Sequence, residues 1–303
     1  MHDPITGVTV IVPTLNRGGF LVDCLRDLVA QTYRPLEILV IDQSSEADTS
    51  VDAIVREHHN MIEHRRVNFR GLPRARNFGW NHARYDMLIY VDDDTRFGPD
   101  FVSSHVDAMK EPGVGLVAGA VDTISGRVDA SATPGVYRRW TATPLRGFAA
   151  EIRREADHAA GCNFSVRRSA MEKAGGFDER LSTGPALYEE TDLCLRVKSA
   201  GYRIVFDGRA RLTHLVAPGG GCRVDKVRDY VKALSHNRAM MIRRHGRWFH
   251  APVALGRLAG LGLSYARHYR RPAAVVDCVV GGILGLIEGG RDPFRQADAG
   301  TSL

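Results

Sequence analysis

Short apolar runs that stop abruptly at polar clusters set the pattern of this chain. Val8-Thr9-Val10-Ile11-Val12 is β-branched and ended by Pro13, so it predicts a buried first strand followed by a loop over Pro13–Gly19. Leu21, Leu25 and Leu28 share one face of a helix expected from about Phe20 to Gln31. Glu37-Ile38-Leu39-Val40-Ile41 predicts a second strand that runs into Asp42-Gln43-Ser44-Ser45. Met87-Leu88-Ile89-Tyr90-Val91 predicts another, and it ends in three consecutive carboxylates, Asp92, Asp93 and Asp94. Strand, polar loop, helix, strand is the grammar of a parallel sheet, whose ligands bind outside the carboxyl ends of the strands. In such a sheet the clusters Thr14–Arg17, Asp42–Ser45 and Asp92–Asp94 line one edge.

Gly71 to Asn77 opens a helix, with Pro73 tolerated in its first turn and Arg76 either aimed at a bound anion or solvated. Val114–Ala120 predicts a further strand. From about Val121 to Glu155 periodicity dissolves into Gly, Pro, Thr and arginines such as Arg138, Arg139 and Arg146, which reads as a functional or mobile loop or as a plain surface excursion. Tyr202–Phe206 is a late strand and Val224–His245 a long helix. Pro218-Gly219-Gly220-Gly221-Cys222-Arg223 reads either as a glycine-hinged flap or as a solvent loop. In the tail, Val253–Leu263 and Ala273–Ile287 are apolar and stand beside His268, Arg270 and Arg271. Packing on the protein or in a homodimer interface is the preferred reading of those helices, with contact at an anionic membrane surface the other.

With 303 residues the chain can bury a large core. A net charge of +6 points to anionic partners, yet no basic run or nucleic-acid module is present, so no nucleic acid is expected. The five cysteines are scattered, odd in number and without Cys-x-x-Cys spacing, which argues for reduced thiols in a cytosolic setting. No signal-like segment opens the sequence and no apolar stretch reaches the ~20 residues of a membrane span. The expectation is a cytoplasmic protein, with association at the inner face of the membrane left open.

Three adjacent anions on a strand tip repel one another unless a cation or hydrogen-bond donors sit between them, and oxygen ligands suit Mg²⁺ or Mn²⁺. An acidic turn or helix cap is the plainer account. Four segments then fall in one order and spacing: Pro13-Thr14-Leu15-Asn16-Arg17, Asp42-Gln43-Ser44-Ser45, Gly71-Leu72-Pro73-Arg74-Ala75-Arg76-Asn77-Phe78-Gly79, and the triple Asp. Together they resemble family 2 glycosyltransferases of the GT-A fold, and the resemblance continues through Gly161–Arg168, Gly175–Glu179 and Glu189–Arg196. It implies an α/β fold: a mostly parallel, twisted, nucleotide-binding sheet flanked by helices. A catalytic domain at 1–222, with a nucleotide-sugar half at about 1–120 and an acceptor half at 121–222, would precede a helical extension at 223–303.

The resemblance also implies roles. Pro13, Thr14, Asn16, Arg17, Asp42, Arg76, Asp92 and Asp93 would hold the nucleotide, with Asp42 reading the base, although an Asx-turn would explain Asp42 as well. Asp94 and His214 would hold Mg²⁺ or Mn²⁺. The acidic helix start would supply the base, where most members carry Glu-Asp followed two residues later by Asp; here Glu190 stands in the second place. Glu190 is the expected base, Glu189 the fallback and Asp192 a positioning acid, against the alternative that these acids merely complement a helix dipole. Asn237 and Arg238 also fit the family. The processive signature Gln-x-x-Arg-Trp is absent from Arg244-His245-Gly246-Arg247-Trp248, which predicts transfer of one sugar from a nucleoside-diphosphate sugar to an acceptor hydroxyl. Two other readings remain: a sugar-nucleotide pyrophosphorylase, disfavoured because Pro13–Gly19 lacks a glycine-rich basic loop, and a non-catalytic nucleotide-sugar or membrane-surface scaffold.

Overall fold

The protein is described here by a computed structural model covering residues 5–124, 133–182, 185–222 and 226–290. Arg223 and Val224, at the ends of the expected flap and helix, lie outside the described residues.

The first half alternates strand and helix: β1 (Val8–Thr14), α1 (Gly18–Val29), β2 (Leu36–Asp42), α2 (Thr49–Glu57), β3 (Ile62–Arg66), α3 (Leu72–His82) and β4 (Met87–Val91). A short β5 (Thr95–Phe97), α4 (Phe101–Met109) and β6 (Val114–Thr123) follow. Among its described residues the irregular middle holds β7 (Tyr137–Arg138), a 3-10 turn at Arg139–Thr141, β8 (Thr143–Pro144) and β9 (Arg153–Glu155). Then come β10 (Asn163–Arg167), α5 (Arg168–Ala174), α6 (Glu189–Ser199) and the long β11 (Arg203–His214). Three helices close the described chain: α7 (Val227–His245), α8 (Ala251–His268) and α9 (Ala273–Gly289).

The main sheet runs β3-β2-β1-β4-β10-β6-β11-β5, with β9 on the far part of β11. β1 to β4, β6 and β11 all point one way, and β10 is inserted antiparallel between β4 and β6. Both faces are covered. Val8, Val10 and Val12 join one core with α1 and α4, while Ile11, Leu39 and Tyr90 join a second with α3, α5 and α6. This is why the strands read as unbroken apolar runs instead of alternating ones.

Pro13 does not end β1. Val8 N donates to Pro35 O on the β2 side, so alternation turns the nitrogen of position 13 toward β4. Pairing with β4 stops at Ile11, and no ladder bond is lost there.

β11 has an irregularity that matters for the site. Asp207 pairs with Gly119 and Arg211 with Ala120, so Gly208, Arg209 and Ala210 face no β6 residue. The Asn163 amide clamps this excursion by donating to Ala120 O at 2.7 Å and Ala210 O at 2.9 Å. It fills the space where Gly119 would carry a side chain.

The terminal helices pack on the sheet domain and on each other. Asn237 donates to Leu181 O and Leu187 O, and Arg244 reaches both Asp178 and Asp192 at 2.7 Å. α9 lies along α7 through glycines: a side chain at Gly281 or Gly285 would collide with the carbonyls of Lys232 and His236, and one at Gly289 would lie 2.9 Å from Met240 Cα. Among the described residues no helix is long and apolar enough to cross a membrane.

Candidate active site

The carboxyl edge of the sheet assembles the expected residues. Thr14 and Asp42 are register partners at the ends of β1 and β2, and Asp92 follows directly on β4. His214 comes from the end of β11, paired there with Thr95 and Thr123. Along the edge lies a cavity of about 390 Å³ whose walls include Thr14, Asn16, Asp42, Ser44 and Asp48. A second, of about 540 Å³, lies on the other side of Ser44 and is lined by Gln43, Arg66, Phe69 and Arg70. Both are of a size that admits a nucleotide-scale ligand.

Asp42 is buried and held on two sides. Ser44 N donates to Oδ1 at 2.8 Å, and His64 Nε2 lies 3.1 Å from Oδ2. Burial opposes its ionisation, but those bonds outweigh it and keep the carboxyl below its ordinary value. Asn16 takes a left-handed conformation, φ 56°, which lets its N–H reach Ser44 Oγ at 2.8 Å and ties the first loop to the second.

The three aspartates have separate environments. Asp93 points inward to Thr14 Oγ1 at 2.7 Å and Arg17 at 3.0 Å; burial pushes its carboxyl up to about 6 despite those partners. Asp94 meets His214 Nε2 at 3.1 Å, the Ala217 N–H at 2.8 Å and Arg17 at 3.3 Å. Burial resists, yet these donors bring it down to about 2. Burial likewise disfavours the His214 imidazolium, but Asp94 and Asp92 hold its pKa above the ordinary value. Asp92, Asp94 and His214 each offer one ligand atom, all within 4.8 Å of one another. An ion bound at about 2.1 Å holds opposed ligands about 4.2 Å apart, so a slight side-chain rotation suffices, and this O,O,N donor set suits Mg²⁺ or Mn²⁺. A cation would take the place of the hydrogen bond that His214 and Asp94 now share.

Arg17 joins this edge to the segment after β11. Besides its two carboxylates it donates to Gly219 O at 2.8 Å and Gly220 O at 3.2 Å, while Gly221 N donates to Leu15 O at 3.1 Å. Gly220 and Gly221 have φ of 70° and 64°, and a side chain on either would strike the first loop. The glycines expected as a flap or a solvent loop are therefore latched onto Leu15–Arg17.

Arg76 is neither solvated nor open to the cleft. It is fully buried and donates to Glu189 Oε1 and Gly161 O, both at 2.7 Å, and to Asp92 at 3.4 Å. Burial, reinforced by the charge of Glu190, pushes Glu189 well above the usual carboxylate range even beside Arg76. Glu190 is half-buried and accepts from Thr191 Oγ1 at 3.1 Å. Asp192 faces the other way, fully buried against Arg196, Arg244 and His245, and is the anchor of α7 on α6. Two strained residues adjoin the site: Tyr188, φ 73°, precedes Glu189, and the β-branched Val216, φ 54°, precedes Ala217, whose N–H donates to Asp94.

His64, Arg66, Phe69 and Ala217 are site residues the sequence reading missed. β3, which carries His64, is a short edge strand with no clean alternation, and Ala217 contributes only its backbone.

Residues 9–175, more than half of the chain, match the family described as Glycosyl transferase family 2. The chain belongs to that family. Among its relatives, a glucosyl-dolichyl phosphate glucuronosyltransferase of Haloferax volcanii is 26% identical over 217 residues, covering 68% of each chain. An N-acetylglucosaminyltransferase of Rhizobium leguminosarum bv. viciae is 33% identical over 126 residues, or 39% of this glycosyltransferase and 28% of that protein. The fold is that of the mannosyltransferase PcManGT from Pyrobaculum calidifontis in complex with GDP-Man and Mn²⁺: TM-score 0.58, 17% identity, 93% and 90% of the two chains covered. Residues 1–349 of S. aureus TarS in complex with UDP-GlcNAc give TM-score 0.57 at 13% identity over 96% of this chain and 92% of that one. The expected mostly parallel GT-A sheet with a helical C-terminal region is therefore what this family 2 glycosyltransferase has.

Proposed function

We propose that this glycosyltransferase moves one sugar, with inversion, from a nucleoside-diphosphate sugar to an acceptor hydroxyl, and that the reaction depends on Mg²⁺ or Mn²⁺. The observation that carries the reading is the convergence of Asp92, Asp94 and His214 beside the cavity walled by Thr14 and Asp42. Relatives of the same fold were solved with GDP-Man and Mn²⁺ and with UDP-GlcNAc, which supports a nucleotide-sugar donor. In this reading residues 1–222 are the catalytic unit and 223–303 a helical extension.

Asp42, with the loop at Thr14–Arg17, holds the nucleoside, and Arg17 stands where the diphosphate would arrive. A divalent cation at Asp92, Asp94 and His214 would neutralise the charge that develops on the leaving diphosphate. Glu190 is the base: it takes the acceptor proton as the acceptor oxygen bonds to the anomeric carbon and the bond to the diphosphate breaks. Glu189 is the weaker candidate because Arg76 occupies it and burial withholds it from an entering hydroxyl. Asp192 positions the helix that presents these acids. Arg76 fixes Asp92 and Glu189 in their orientations.

Incubation with UDP-, GDP- and dTDP-sugars tests the proposal. A donor is hydrolysed slowly without acceptor in the presence of Mn²⁺, and chelator or Asp94→Asn abolishes this. Hydrolysis indifferent to chelator removes the metal from the scheme, and consumption of nucleoside triphosphates with pyrophosphate release would make the chain a pyrophosphorylase. Glu190→Gln retains donor binding and loses transfer by about a hundredfold to ten-thousandfold; unchanged turnover removes Glu190 from the mechanism.

A further inference from the structure

Helix α9 is built inside out. Its small residues, Ala274, Cys278, Gly281, Gly285 and Gly289, face the protein, while Val276, Val279, Val280, Ile283, Leu284 and Ile287 are all exposed, at 41% to 60%. A helix that only packs on its own domain has the opposite polarity. Small residues at a close helix contact and large apolar residues outward is the arrangement of helices whose outer solvent is lipid. The neighbouring helix α8, against which Cys278 Sγ bonds Leu258 O, adds exposed Val253 and Leu263.

Charge selects the occupant. Residues 251–290 carry Arg257, Arg267, Arg270 and Arg271, all exposed, three of them at the α8–α9 turn. Their two acids face inward, Asp277 onto Arg228 at 2.7 Å and Glu288 onto His236 at 3.0 Å. Among the described residues of α8 and α9 the outer face is thus apolar and cationic with no free carboxylate. A second copy would bring the same cations and nothing to meet them. An anionic bilayer supplies both halves of the match.

We infer that the α8–α9 hairpin docks on the surface of an anionic lipid bilayer, with the outer face of α9 in the acyl boundary and the arginine turn among the headgroups. The 17 residues of α9 extend about 25 Å, which suits a helix lying in the interface. This inference goes beyond the donor reading and stands independently of it.

Sedimentation of the full chain with vesicles of phosphatidylcholine, with and without phosphatidylglycerol, tests it. The chain is expected to pellet with the anionic vesicles, much less with the neutral ones, and to be released by salt. Val279→Asp with Ile283→Asp, at exposed positions, abolishes binding while the thermal midpoint is kept. Should that variant fail to fold, Arg267→Gln with Arg271→Gln leaves the apolar face intact and weakens partition about 30-fold, at about 5-fold per charge. Failure of the wild type to pellet with anionic vesicles overturns the inference, as does unchanged binding by either folded variant. A dimer in analytical ultracentrifugation that Val279→Asp with Ile283→Asp dissociates, with no vesicle binding, assigns the face to a second copy.

Discussion

Replacing Asp192 with Asn tests whether that acid belongs to the architecture or to the chemistry. Its carboxylate is fully buried and accepts from Arg196 at 2.8 Å, Arg244 at 2.7 Å and His245 at 2.8 Å. Removing one partner from a buried charge network leaves the others desolvated and uncompensated, at about 3–5 kcal/mol. Arg244 keeps Asp178 at 2.7 Å, so the lower end applies. With a urea m-value of at least about 3 kcal/mol/M for a chain of this size, the midpoint falls by up to about 1 M. Asp277→Asn is the control: its partner Arg228 is largely exposed, and a solvent-screened pair of this kind adds little to stability. Burial alone would raise the Asp192 pKa, but Arg196, His245 and Arg244 hold it well below the usual range. A folded pKa below the unfolded value of about 3.9 gives stability that is complete above that value and lost as pH falls beneath it. The wild type therefore loses stability more steeply than Asp192→Asn below about pH 4, while activity per folded molecule is retained. A midpoint shift no larger than that of Asp277→Asn, or an equal acid slope, refutes the argument. Lost turnover at full stability would place Asp192 in the reaction itself.

Three further expectations follow from the same geometry. Calorimetric Mn²⁺ affinity rises with pH between about 6 and 8, because the cation displaces a proton from an imidazole whose pKa Asp94 raises, and His214→Ala removes this dependence; a flat profile in the wild type counts against His214 as a ligand. Asp42→Ala weakens donor binding by about 10- to 100-fold, the worth of a hydrogen bond to a charged group, and leaves turnover at saturating donor unchanged; equal affinity in a titration denies Asp42 the nucleotide. Gly285→Val forces α9 off the His236 carbonyl and lowers stability by about 1–3 kcal/mol in thermal unfolding, whereas an unaltered midpoint contradicts the close approach of α7 and α9.

The legible parts of the sequence were those where one local signal agreed with one structural cause. β4 runs Met87–Val91 as its apolar run predicts, and the triple Asp lies at its carboxyl end. The α1 leucines are buried together. Asp42, Asp94 and His214 fall on one edge because parallel strands share a direction, a rule that sequence order alone can apply. What stayed hidden depended on partners far along the chain. Arg76 reads as an arginine aimed at a bound anion or else solvated until Glu189, 113 residues away, is seen beside it. Asp192 looks like its acidic neighbours until α7 brings Arg244 and His245 against it. β3 and α4 passed unread, β3 because its Glu-His-Arg-Arg run is polar on an edge and α4 because His105 and two serines blur its apolar face.

The excursion at Gly208, Arg209 and Ala210 bears on how freely this chain can be reshaped. Asp207 and Arg211 are four residues apart yet pair with the consecutive Gly119 and Ala120, so the side-to-side alternation of the strand is broken within the excursion. The facing of His214 is set instead by the ladder that resumes at Arg211 and runs Leu212 to Val121, Thr213 to Asp122 and His214 to Thr123. Changes of length confined to Gly208–Ala210 are therefore absorbed locally, whereas a change beyond Arg211 shifts the imidazole itself.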